Sequence, residues 1–305
     1  MEICVLLVTF NRCAELEKTL KYYEAQSYKP KAILVVDNNS TDGTGEMLEK
    51  WSGKEGEIRH LVLTLNENLG GSGGYYYGME RALELGYEWI FISDDDAIPR
   101  LDALERLDSF VDRNRELVCN CAVICGAVED EGGLVTGHRA RINKRSLTGI
   151  IDRPAPESEY RREYFDIDFF SYIGACVRAS ALKSAGLARK EFFIYSDDFE
   201  HSLRLRREGR IICVPSVILS HKDNNLYTRE ASWRDYYATR NLLIMYRECF
   251  GGFAAFRRGF LRRLSALRSF NGEKIKVISE GIKDARTEKT GIHPIYRPGW
   301  SPNKK

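Results

Sequence analysis

The first 96 residues alternate two kinds of hydrophobic pattern. "EICVLLVTF" (2–10), "KAILVVD" (31–37), "IRHLVLTL" (58–65) and "EWIFISDDD" (88–96) are short, nearly continuous apolar runs. Such runs fit strands covered on both faces. Between them, "CAELEKTLKYYEAQ" (13–26) spaces Leu16, Leu20 and Tyr23 as a helix does, "NNSTDGTGEMLEKW" (38–51) passes from turn residues into a second helix, and "GGYYYGMERALELG" (73–86) predicts a third that closes at Gly86. A β-α-β-α-β-α-β order predicts an open, mostly parallel sheet. In such sheets ligands bind beyond the carboxyl ends of the strands. Asn11, Asp37, Asn66 and Asp94 stand at those ends and so belong to one rim.

Past this repeat the pattern loosens. "LVCNCAVICGAV" (117–128) is another apolar strand. Residues 138–170 are polar, rich in arginine and broken by Pro154 and Pro156, which predicts an excursion or lid over the rim. "VRASALKSAGL" (177–187) and "SDDFEHSLRLRREG" (196–209) predict helices, the second with Ser196 as N-cap and Gly209 as stop. "RIICVPSVILSH" (210–221) predicts one or two strands ending at His221, and from Trp233 the pattern is helical until a loose tail. The expected organisation is a catalytic domain over 1–231, with halves 1–130 and 131–231, and a helical, basic C-terminal region over 232–305.

Charge sharpens that division. The formal net charge of the 305 residues is only +2, which excludes a chain-wide nucleic-acid binder. Residues 222–305, however, carry 18 Lys+Arg against 8 Asp+Glu, leaving 28 against 36 in the first 221. In "GGFAAFRRGFLRRLSALR" (251–268), Phe253, Phe256, Phe260, Leu264 and Leu267 keep helical spacing beside Arg257, Arg258, Arg262, Arg263 and Arg268. Two readings stay open: an amphipathic helix in an anionic membrane interface, or a helix packing its apolar stripe on the domain. No stretch approaches a membrane span, and the N-terminus lacks the basic start of a signal peptide. With eight cysteines this predicts reduced thiols and a cytoplasmic protein, with peripheral attachment to the inner membrane face as an open addition. Cys119, Cys121 and Cys125 lack a CxxC pair and read as part of a strand, not a metal cluster.

Three features carry candidate chemistry. Asp94, Asp95 and Asp96 end a buried strand, where three like charges repel. A solvated turn is the bland reading. Alternation along an extended chain lets Asp94 and Asp96 converge, and a hard divalent cation holding diphosphate oxygens would relieve the repulsion. "NENLGGSGGYYYG" (66–78) sets four glycines before a helix, suiting close approach to a phosphate, though it is neither a Walker A loop nor GxGxxG. Asp37, followed by "NNSTDGT", is either the start of an Asx-rich turn or an acceptor for the N–H of a flat ring such as uracil.

Taken together, "VTFNR", "VVDNNSTDGT", "NLGGSGG", "ISDDD", "FFIYSDDFEHSLR" and the "SH" at 220–221 resemble a family 2 glycosyltransferase of the GT-A fold. "NLGGSGG", the "DDF" acids, the later histidine and "RNLL" are most similar to the galactofuranosyltransferases and their bacterial relatives. The likeness covers about residues 1–250. It implies an α/β fold: an open mixed sheet flanked by helices, with a helical C-terminal extension. It implies a divalent metal, Mn2+ or Mg2+, on Asp94, Asp96 and His221. Thr9, Arg12, Asp37, Asn68, Gly71, Gly73, Asp94 and Asp95 would bind the nucleotide sugar, Asp198 would be the catalytic base, and Asp197, Glu200, Phe169, Phe170 and Tyr172 would orient the acceptor. On residues alone, the acids at 197–200 fit equally a helix N-terminus that favours negative charge, and His221 a strand-end histidine.

The expected reaction is inverting transfer from UDP-galactofuranose to a glycan or lipid-linked glycan, with dTDP-rhamnose as the runner-up donor. The chain is much shorter than polymerising members of that group, which implies a single addition. A sugar-1-phosphate nucleotidyltransferase would want a glycine-rich loop with arginine and lysine directly after the first strand, and "TFNRCAEL" offers no such loop. A non-catalytic module that binds UDP or a glycan without turning over donor is the third class.

Overall fold

The computed structural model describes residues 1–142, 152–222 and 230–302. The opening repeat folds as its pattern predicts: β1 (Ile3–Thr9), α1 (Cys13–Glu24), β2 (Ala32–Asp37), α2 (Thr44–Ser52), β3 (Arg59–Thr64), α3 (Gly70–Glu84) and β4 (Trp89–Asp94). Then come β5 (Ile98–Pro99), α4 (Ala103–Arg113), α5 (Arg115–Cys119), β6 (Cys121–Asp130), β7 (Gly133–Leu134), β8 (Arg139–Ile142), β9 (Asp152–Pro154), β10 (Phe165–Asp166), β11 (Phe169–Phe170) and β12 (Ala175–Arg178). The chain continues through α6 (Ala179–Ala185), α7 (Asp197–Leu205), β13 (Arg210–Ser220), α8 (Trp233–Phe250), α9 (Gly252–Arg268) and α10 (Gly272–Arg286).

The main sheet runs β10-β13-β6-β12-β4-β1-β2-β3, with β5 paired to the end of β13 and β7 to the end of β6. β4, β1, β2 and β3 are mutually parallel, while β12 runs antiparallel to both β4 and β6, so the sheet is mixed. Alternate residues of β1 serve opposite cores. Ile3, Val5 and Leu7 pack with α1 and α4, and Cys4, Leu6 and Val8 pack with α3. In-register pairing sets Thr9 beside Asp37 and Val8 beside Asp94, which aligns the carboxyl ends into the rim that the strand order implies.

Two regions differ from the sequence expectation. The glycines before the third helix are not a loop: α3 begins at Gly70. A Cβ on Gly74 would strike Val8, and one on Gly70, whose φ is +72°, would strike the Phe193 carbonyl. These glycines therefore let the helix lie against β1 and against the segment before α7. The expected excursion at 138–170 contributes, in its described parts, to a second sheet of order β11-β8-β9. Arg139 fixes it. Its fully buried guanidinium donates to the carbonyls of Gly126, His138 and Ile173 at 2.8, 2.8 and 2.6 Å, which a solvated lid arginine would not do. Residues 143–151 of that expectation lie outside the described residues.

The C-terminal region is helical as expected. α8 starts with a reciprocal capping box between Ser232 and Asp235. α8, α9 and α10 bury Leu243, Ile244, Ala266, Ile278 and Ile282 together with Phe192, which lies just upstream of α7.

Candidate active site

A cavity of about 740 Å³ opens at the rim. Gly71, Ser72 and Tyr75 of α3, Asp94 of β4, Tyr172, and Asp197 and Asp198 of α7 form its inner wall. Arg234, Arg258 and Arg262 face it from the C-terminal helices.

The acidic strand end divides by direction. Asp94, Asp96 and His221 can each bring one ligand atom within 4.8 Å of the others. Nε2 of His221 lies 3.4 Å from Asp96 Oδ1 and 4.0 Å from Asp94 Oδ2. Asp95 turns the other way, into the protein, where it accepts the Thr9 hydroxyl at 2.7 Å. Arg12 bridges the two sets, 2.6 Å from Asp96 and 3.3 Å from Asp95. Burial pushes Asp95 up to about 7, against the pull of Arg12 and Thr9. Burial also raises Asp94, although the Tyr75 hydroxyl donates to it. Burial works on Asp96 too, but His221 and Arg12 outweigh it and hold that carboxyl below its usual range. Two carboxylates and one imidazole, clustered with no thiolate, are a donor set for a hard divalent cation.

Asp37 is buried, and its Oδ1 accepts both the backbone N–H and the hydroxyl of Ser40, at 3.0 and 2.6 Å. The Asx-turn reading thus accounts for one of its oxygens. Asn68 holds the start of α3 by accepting the Gly70 N–H at 2.8 Å. Gly71 faces open space at the cavity wall, whereas Gly73 sits against Leu69 of its own helix.

The second acidic group stands on a distorted backbone. Phe193, Tyr195 and Ser196 all have positive φ, at 67°, 68° and 65°, and none is glycine. Such residues cost about 1–3 kcal/mol each and persist only where surroundings impose them. The imposing groups come from α8. The Asn241 side-chain N–H2 donates to the carbonyls of Phe192, Ile194 and Tyr195 at 2.9, 2.8 and 2.9 Å. Arg240 donates to the carbonyls of Phe192 and Gly291, and its Nε to Asn241 Oδ1. Both side chains are fully buried. Here the "RNLL" stretch acquires a physical task that its sequence alone did not reveal. From the other side, the Ser72 N–H donates to the Phe193 carbonyl at 3.1 Å.

Asp197 and Asp198 emerge from this clamped segment into the cavity. Burial raises both, Asp197 to about 6 and Asp198 well above the usual carboxylate range, with the neighbouring Asp197 charge adding to the rise. Glu200 turns elsewhere. Arg204 takes both its oxygens at 2.8 Å and also donates to the carbonyls of Ala185 and Leu187, so the pair secures α7 against α6. Of the candidate aromatics, only Tyr172 lines the cavity. Its hydroxyl pairs with His201 Nδ1 at 2.9 Å, and its ring lies 4.5 Å from Tyr75. Phe170 is in the main core, and Phe169 packs on Phe199 beneath α8.

The sequence profile of Glycosyl transferase family 2 matches residues 4–184. The chain belongs to this family. Among curated relatives, the galactofuranosyltransferase GlfT1 of Mycolicibacterium smegmatis is 28% identical over 208 residues, spanning 68% of this chain and 66% of the relative. GlfT1 of Mycobacterium tuberculosis is 30% identical over 214 residues, spanning 68% and 65%. The match thus covers slightly less than two thirds of either relative's length. Among solved structures, GalNAc-T7 with UDP, GalNAc and Mn2+ superposes with a TM-score of 0.63 at 15% identity, over 94% of this chain and 56% of that one. At that identity the likeness concerns the fold, which is GT-A. Within this family 2 glycosyltransferase a further acid–histidine group, Glu280, Asp284 and His293, lies among the C-terminal helices. It is already spent on the fold. Tyr236 donates to Asp284, and the N–H groups of Ile295 and Tyr296 donate to His293 Nδ1.

Proposed function

We propose that the chain transfers a glycosyl group, galactofuranose from UDP-galactofuranose as the leading case, to a hydroxyl of a glycan or lipid-linked glycan acceptor, by one inverting displacement. The observation carrying this reading is that Asp94, from the metal-type cluster, and the Asp197–Asp198 pair line the same cavity.

Asp94, Asp96 and His221 would hold Mn2+ or Mg2+, which bound beside a diphosphate would stabilise the charge of the leaving nucleotide. The Mn2+ and UDP of the GalNAc-T7 structure support that expectation. Arg12, held on Asp95 and Asp96, offsets the repulsion among the acids, and with Thr9 and Asp37 at the neighbouring strand ends it would contribute to the base site. Gly71 leaves the N-terminal turn of α3 open to the cavity, where backbone N–H groups favour an anion. Asp198 accepts the proton of the acceptor hydroxyl as it attacks the anomeric carbon. Its raised pKa makes it a stronger base than an ordinary carboxylate. Asp197 keeps that pKa high and contacts the acceptor, while Tyr172 supplies an apolar face on the cavity wall.

The relatives' printed names, galactofuranosyltransferases both, favour the donor choice. The deciding experiment incubates the purified chain with a panel of nucleotide sugars and simple glycoside acceptors in Mn2+, reading product and anomeric configuration. Transfer from UDP-galactofuranose above all others, with inversion, is the expected result. Preference for dTDP-rhamnose would replace the donor. Tight UDP binding with no transfer to any acceptor would replace the enzyme by a binding module.

A further inference from the structure

No helix of the described residues is long and apolar enough to cross a membrane. Among the described residues, α9 nevertheless groups several strongly exposed large apolar side chains. Phe253, Phe256, Phe260 and Leu267 are 77%, 64%, 54% and 48% exposed, and Phe270, just past the helix, is 95% exposed. On a 100°-per-residue wheel Phe253, Phe256, Phe260, Leu264 and Leu267 form one stripe. Arg257 and Arg268 border it on one side and Arg263 on the other. Between Glu248 and Glu273 the chain has five arginines and no acid. The helix is held from behind. Gly259 and Ala266 are the buried positions of α9, Gly259 facing Leu243 of α8, while the stripe residues stay exposed. The alternative left open by the sequence, an apolar stripe packed on the domain, is not what the described residues show.

We propose that this stripe docks on an anionic lipid surface, the phenylalanines entering the interface and Arg257, Arg263 and Arg268 meeting the headgroup phosphates. Contiguous apolar surface rimmed by charge marks an interaction site, and an all-cationic rim selects a negatively charged partner. An amphipathic helix with aromatic residues on one face and arginines along its borders matches the layered polarity of a bilayer interface. The opposite face of the same helix gives Arg258, Leu261 and Arg262 to the catalytic cavity. Docking by the stripe would therefore hold the cavity beside the membrane, within reach of an acceptor carried on a lipid. The inference needs no catalytic turnover and stands or falls apart from the donor and acceptor chosen above.

The test sediments the full chain with vesicles of phosphatidylcholine, with and without phosphatidylglycerol, at low and high salt. Binding is expected only to the anionic vesicles. It should weaken as salt shortens the screening length from about 10 Å at 0.1 M to about 3 Å at 1 M. Replacing Phe253, Phe256 and Phe260 by Ser should lower the partition coefficient by about tenfold or more, because each ring withdraws from the interface. Exchanging Arg257, Arg263 and Arg268 for Gln should remove the preference for phosphatidylglycerol. Melting temperature and UDP affinity in Mn2+ serve as folding controls, since these positions lie outside the catalytic machinery. No binding by the parent chain, or full binding by the serine variant, overturns the proposal. So does a parent dimer that the serine variant converts to monomer with vesicle binding unchanged, because the stripe would then join two copies.

Discussion

The two acidic groups of the cavity reach it by opposite means. Asp94 closes β4, a regular strand paired in register with β1, and Asp96 follows in the turn just beyond it, held there by Arg12 and His221. Asp197 and Asp198 follow a stretch with three positive-φ side-chain-bearing residues, which three carbonyl contacts from Asn241 hold in shape. One group is placed by repetitive secondary structure, the other by a buried carboxamide from a different part of the chain. The acids at the end of β4 can thus rest on regular structure, while the Asp197–Asp198 pair is locked by specific polar contacts.

The largest expected effect tests the strand-borne side. Asp96→Ala should remove detectable transfer and should weaken UDP binding only when Mn2+ or Mg2+ is present, as titration calorimetry with and without chelator would read. Full activity in excess chelator would leave the cluster without a metal role. Next comes the clamped side. Asp198→Asn should lower kcat by about 10²–10⁴, the usual worth of a positioned base, with UDP affinity kept. Near-normal turnover in that variant with collapse in Asp197→Asn would move the base one residue upstream.

The pH profile sharpens the same point. A base works only when deprotonated, so a raised pKa places the rise of kcat/KM at higher pH. With both acids raised by burial and by each other's charge, the acid limb should lie above the ordinary carboxylate range near 4. Asp197→Asn removes a like charge and should move the limb down. A limb that does not move would show that the two acids are uncoupled.

Asn241→Ala addresses the comparison itself. It leaves buried carbonyls of the distorted segment without donors, at a cost on the order of 1–3 kcal/mol in stability. Misplacing the base should reduce kcat roughly 10²-fold, while metal-dependent UDP affinity stays at the parent value. Equal loss in UDP affinity and kcat would mean that the clamp serves the whole fold rather than one side of the cavity. The smallest effect is expected from Ser196→Gly, which relieves a left-handed side chain worth about 1–2 kcal/mol but adds chain entropy to the unfolded state. Its melting temperature should match or slightly exceed the parent's, by thermal denaturation. A marked drop would place more weight on the serine hydroxyl than on the backbone.

Much of the donor side was legible in the sequence because strand periodicity is local. Apolar runs ending in Asp37 and Asp94 give both the elements and their common rim. The glycines misled for a physical reason: permissive residues read as loop, yet here they thin a helix for packing against Val8 and Phe193. Glu200 could not be separated from its neighbours by spacing alone. Its partner Arg204 is one turn on, and nothing in the sequence says that this pair faces inward rather than into the cavity. The task of Arg240 and Asn241 was hidden because its acceptors are backbone carbonyls, which have no sequence signature. The exposed stripe of α9 was visible as a pattern, but which way it faced depended on the tertiary packing that buries Gly259 and Ala266 instead.

The reach of the Asn241 clamp also fixes an order in time. Its carbonyl partners lie 46 to 49 residues earlier in the chain, and Arg240 closes on Gly291, 51 residues later. During synthesis the strand-borne acids can settle as soon as the sheet forms. The segment before α7 must wait until nearly all the described chain has left the ribosome. A growing or prematurely ended chain would carry the acids at the end of β4 while the segment before α7 is not yet held, a state that the last helices bring to an end.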